Sequence, residues 1–151
     1  MCAEWTDLEK DLNGWLKDFG RGGRQYRNPN QAIIGFPWNG FKSDGMLTDD
    51  NVLLAIEIES HQKHPDTNAG KYWLLHEKHK AFSRIILFHI YTPLFTSYPW
   101  RKQLAEFYIA HMTQVPIEYR VLDYRKESDY ARILTQIKEI VLEKLKQLGW
   151  A

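Results

Sequence analysis

The chain lacks most of what marks a secreted or membrane protein. Among its 151 residues there is one cysteine, Cys2, so no internal disulfide can form and a reducing compartment is expected. No apolar run approaches the roughly 20 residues needed to cross a bilayer. The opening MCAEWTDLEK has no apolar stretch of the secretory kind. A soluble, cytoplasmic protein is the expectation. Net charge is only +1, which removes any global attraction to polyanions and leaves basic surface as a local matter. Gly20, Gly22 and Gly23 bracket Arg21, but they follow no strand and match no nucleotide-binding fingerprint. Repeats, low-complexity tracts and linkers are missing too. One α/β domain over 1–151 is expected, large enough to bury a core.

Aromatic residues are plentiful, with six Trp, eight Tyr and seven Phe; most should serve the core, while some are free to stack on ligands. Trp5, Leu8, Leu12, Trp15, Leu16 and Phe19 recur at helical spacing, and Gly20 stops the run. After an Arg-bearing loop, RGGRQYRNPN, the pattern predicts three short strands in an antiparallel meander: QAIIGFPW, FKSDGML and VLLAIEIES. Thr67 or Asn68 is suited to cap a second helix over AGKYWLLHEKHKAF. RIILFHIY then reads as a strand buried on both faces, reached by a parallel crossover. A helix from Pro99, the strand IEYRVLDYR and a helix from about Ser128 complete the chain.

The chemistry concentrates in Asp44 and in Glu57-Ile58-Glu59. Strand side chains alternate, so Glu57 and Glu59 share one face while Ile56 and Ile58 take the other. At a wet sheet edge such acids need no function. On a buried face they require a cation or hydrogen bonds to compensate them.

This order of elements, with acids on the second and third strands, resembles the PD-(D/E)xK, or restriction endonuclease-like, nuclease superfamily. The resemblance covers roughly residues 1–91 and implies an αβββαβ core with a mixed central sheet, here followed by an αβα extension. It implies that Asp44 opens the second strand of a metal site and that Glu57 begins the acid-x-Lys motif of the third. Glu59 stands where the family usually carries Lys, a departure that some active members share. In other members the Lys migrates to the following helix, for which Lys71 and Lys63 are the candidates. The implied activity is a Mg²⁺- or Mn²⁺-dependent endonuclease acting on DNA. Asp44, Glu57 and the Ile58 carbonyl would be the metal ligands, an oxygen set that suits Mg²⁺. Glu59 would accept the water's proton or hold a second ion, and Lys71 would orient the water or contact the phosphate.

Arg21, Arg24 and Arg27, interleaved with Tyr26, suit a contact that tracks a nucleic-acid backbone. Free N–H groups near Thr67 and Asn68 would form a phosphate site at a helix start. His61 and His64 have metal-like spacing but no partner pair. His89, inside an apolar strand, reads as a hydrogen-bonded core histidine. So short a chain leaves little surface for reading a sequence, which points to a homodimer, a structure-selective enzyme or delivery by a partner. The rival expectation is a catalytically silent module of the same fold that binds nucleic acid or protein.

Overall fold

A computed structural model describes residues 3–32, 42–61, 64–80 and 82–151. The first amphipathic run folds as α1 (Ala3–Thr6) and α2 (Leu8–Leu16), extended by a 3-10 turn over Lys17–Phe19. Trp5, Leu8, Leu12 and Leu16 form its buried stripe. Gly20 ends the turn for a steric reason. A Cβ there would stand 2.7 Å from the Cβ of Tyr26, closer than side-chain atoms pack.

Five strands form one sheet in chain order: β1 (Gln25–Arg27), β2 (Gly45–Thr48), β3 (Val52–His61), β4 (Arg84–Phe95) and β5 (Ile117–Asp123). β1, β2 and β3 are antiparallel neighbours, whereas β3, β4 and β5 run parallel. The parallel pairs are joined through α3 (Pro65–His79) and α4 (Pro99–His111), and α5 (Tyr130–Gln147) follows the last strand. The Asp49 carboxylate accepts N–H bonds from Asn51 and Val52 at 2.8 and 2.7 Å. That side-chain turn makes the tight β2–β3 connection expected of TDDN.

Two expectations need correction. The outer strand of the meander is Gln25–Arg27, within the segment read as a loop; Tyr26 anchors it by donating its hydroxyl to Asn13 Oδ1 at 2.6 Å. The strand expected over QAIIGFPW falls mostly on 33–41, outside the described residues. The second helix also starts earlier than Thr67 or Asn68, at Pro65, with His64 as its N-cap. Proline fits a first helical position because it has no N–H to leave unbonded.

β3 sorts the core into two layers. Leu54, Ile56 and Ile58 join Leu8, Leu12, Leu16, Ile133, Ile137, Val141 and Leu145 under α2 and α5. Leu53 and Ala55 join Met46, Tyr72, Leu75 and Leu87 under α3 and α4. The α2 and α5 layer is clasped by Tyr130, which donates its hydroxyl to Asp11 across 119 residues of sequence. Among the described residues no helix is long and apolar enough to cross a membrane.

Candidate active site

The α3 and α4 face of β3 changes character along its length. Leu53 and Ala55 are apolar, and the next two side chains on that face are Glu57 and Glu59. The facing helix changes in step. Tyr72 and Leu75 cover the apolar end, while Asn68 and Lys71, one turn nearer the helix start, meet the acids.

Asp44 is held from both sides. Its N–H donates to the Ile56 carbonyl at 3.0 Å, continuing the β2–β3 ladder by one residue. Its carbonyl accepts from Asn13 Nδ2 at 2.6 Å, and its Oδ2 accepts the Ile58 N–H at 2.6 Å. The Ile58 side chain belongs to the opposite layer. Because a strand residue's N–H and C=O face the same edge, the Ile58 carbonyl faces the side on which Asp44 lies.

Glu57 is 1 % exposed, and its compensation is local. Lys71 Nζ lies 2.5 and 3.0 Å from its two carboxylate oxygens and donates to the Lys42 carbonyl at 2.7 Å. Tyr72 donates its hydroxyl to Glu57 at 3.5 Å. Burial nevertheless dominates, pushing the Glu57 carboxyl up to about 8 against the opposing pull of Lys71, with Asp44 adding to the rise. Burial also raises the Tyr72 hydroxyl well above its ordinary value, so it remains a donor.

Asp44, Glu57, Asn68 and Lys71 line one open cleft of about 460 Å³, together with Lys42, Ser43, His64, Thr67 and Pro29. Glu59 does not line it. Wholly buried, Glu59 accepts from Asn68 Nδ2 at 2.5 Å and meets His89 Nε2 at 2.8 Å, both through Oε1. His89 Nδ1 in turn meets the Tyr119 hydroxyl at 2.5 Å. The third carboxylate therefore sits beneath Asn68 and braces it. It is not presented to the cleft as the acid-x-acid spacing suggested. Its Oε2 is buried with no hydrogen-bond partner among the described residues.

The predicted nucleic-acid contacts separate. None of Arg21, Arg24 and Arg27 lines the cleft. Arg24 donates Nε to the Phe19 carbonyl and packs over the Trp150 ring, and Arg27 donates to Gln25. Tyr26, interleaved with them in the sequence, is turned to Asn13. Asn68 is at the cleft, but its backbone N–H is spent on the His64 carbonyl at 3.1 Å; Thr67, in the first turn of the helix, also lines the cleft. Lys63 lies outside the described residues. His61 is exposed at φ 57°, and among the described residues no three His, Cys, Asp or Glu side chains gather as metal-holding groups do.

Two contributors escaped the sequence reading. Asn13 pins the Asp44 backbone while accepting from Tyr26. A weak helix former inside a Leu-rich helix was the available signal. Ser43 donates to the Ile56 carbonyl at 2.7 Å beside Asp44, and nothing in its local pattern announced it.

No protein-family model, curated protein or solved structure matches the chain.

Proposed function

We propose that the cleft is the active site of a divalent-metal-dependent endonuclease of the restriction endonuclease-like fold, hydrolysing phosphodiester bonds in DNA. The observation that carries this reading is the convergence of Asp44, Glu57 and Lys71 on one open cleft, with Asp44 fixed to the backbone of the residue after Glu57. The donor chemistry fits a hard cation: two carboxylates and one strand carbonyl, all oxygen. Lys71 Nζ lies among Glu57 Oε1, Glu57 Oε2 and the Lys42 carbonyl oxygen, so this corner of the cleft already accommodates positive charge. Asp44, Glu57 and the Ile58 carbonyl would hold Mg²⁺ or Mn²⁺, which when bound supplies a polarised phosphoryl oxygen and an activated water.

The chain's own groups do the rest. Asn13 and the Ile58 N–H fix Asp44, so that its orientation costs nothing at the moment of reaction. Lys71, drawn partly from Glu57, places an ammonium where negative charge grows on the phosphate. Asn68, braced by Glu59 and His89, sets the floor beside Lys71. The expected test result is nicking of plasmid DNA with Mg²⁺ or Mn²⁺ by the wild type. Asp44→Ala and Glu57→Ala should each lose it by at least 100-fold, on the order of one lost electrostatic catalytic contact. Equal cleavage by wild type and both variants would refute the proposal.

Two observations favour a second reading, a catalytically silent module of the same architecture that binds nucleic acid or a protein. Lys71 is already paired with Glu57, and Glu59 is sealed away. Nucleic-acid binding without cleavage in the same assay, unaffected by either variant, would support it.

A further inference from the structure

A second cleft, of about 300 Å³, opens where α4 begins and is lined by Thr96, Ser97, Tyr98, Arg101 and His64. His64 also lines the acidic cleft, so the two have a wall in common. Tyr98 is 67 % exposed and Trp100 51 % exposed, and their rings stack at 6.2 Å and 14°. Two stacked exposed rings make a contiguous apolar patch, the kind of surface that marks a binding site, whereas singly exposed rings do not. The Arg101 guanidinium lies 4.9 Å from the Trp100 ring centroid and donates through Nη1 to Asp66 at 3.1 Å. A guanidinium has five N–H donors, and Asp66 engages it through a single nitrogen, so donors remain for a phosphate.

We infer that Tyr98, Trp100 and Arg101 form a binding shelf for an unpaired nucleotide, on which a single-stranded or frayed end stacks as its backbone enters the acidic cleft. The shelf deepens the nuclease reading and rests on it for the direction of the strand. Three features favour this occupant over an apolar protein surface. The exposed face consists of flat rings, which accept any base through its π-face. A cation lies beside the rings, as a phosphate requires. The cleft that Tyr98 and Arg101 line also shares His64 with the carboxylate cleft. Substrate selection would then depend on unpaired structure rather than on sequence.

The test is fluorescence anisotropy in EDTA, so that nothing is cleaved, with a labelled 12-nucleotide oligothymidylate and a blunt duplex of equal length. The single strand should bind more tightly than the duplex. Tyr98→Ala and Trp100→Ala should each weaken it roughly 5- to 100-fold, the range for losing a base-stacking ring. Tyr98→Phe should keep most of the affinity. Phe107→Ala, which removes an exposed ring elsewhere on α4, should change nothing. Circular dichroism melts would establish that the variants fold. Unchanged single-strand affinity in both alanine variants overturns the shelf, as does absent single-strand binding by the wild type. So does a loss confined to self-association on size exclusion, which would assign the rings to a second copy of the chain. Ring-dependent binding with no cleavage in Mg²⁺ sinks the nuclease reading alone; cleavage with ring-independent binding sinks the shelf alone.

Discussion

Ile56 and Glu57 are adjacent on one strand and face opposite layers, and their surroundings obey different rules. Ile56 lies among leucines, isoleucines and a valine from α2 and α5; each removed methylene there loses transfer free energy and leaves a cavity. Glu57 lies under α3 among a lysine, a tyrosine and an aspartate. Its burial opposes its own charge, and its neighbours only partly offset the cost. The first layer is built for stability and the upper end of the second is not. The polar strip of Glu57 and Glu59 follows apolar Leu53 and Ala55 on the same face of one strand.

Three substitutions, in descending order of effect, should separate the two layers. Ile56→Ala should destabilise the fold by about 2–5 kcal/mol, with equal loss at pH 6 and pH 8.5 in urea titrations. A loss that varied with pH would mean that the two layers are coupled. Lys71→Met removes the cation from Glu57. It should cost no more than about 3 kcal/mol, because Glu57 escapes by keeping its proton. Its pKa should rise further, measurable by NMR titration of the side-chain carboxyl. Glu57→Gln should alter the pH profile while perturbing packing least. The folded-state value of about 8 lies above the ordinary 4.5, so the native state holds a proton that the unfolded chain has released. Stability contributed by this group is complete below pH 4.5 and is lost as pH rises toward 8. The wild type should therefore weaken between pH 5.5 and 8 relative to Glu57→Gln. A parallel pair of profiles would show that Glu57 is charged throughout.

Much of the frame was legible because it depends on period and punctuation. The leucines and isoleucines of α2 and α5 repeat at helical spacing, and RIILFHIY is nearly all apolar and flanked by helices. The edge was harder to read. β1 has only three residues, and its place depends on Tyr26 reaching Asn13, a contact across the fold that no local pattern encodes. The candidate site was readable in part for the same reason. Alternation alone puts Glu57 and Glu59 on one face. Which of them reaches the cleft is decided by Asn68 from α3, whose amide covers Glu59, and that depends on helix register. Pro65 starting the helix two to three residues before the obvious caps set that register.

The clasp between Asp11 and Tyr130 has a kinetic consequence. The helices that seal one layer meet only after the chain has closed a loop longer than most small domains, at an entropic cost that local helix formation does not recover. Parallel pairing of β3, β4 and β5 adds to that delay. Refolding is expected to be slow, with the β2–β3 hairpin protected against amide exchange before α2 is.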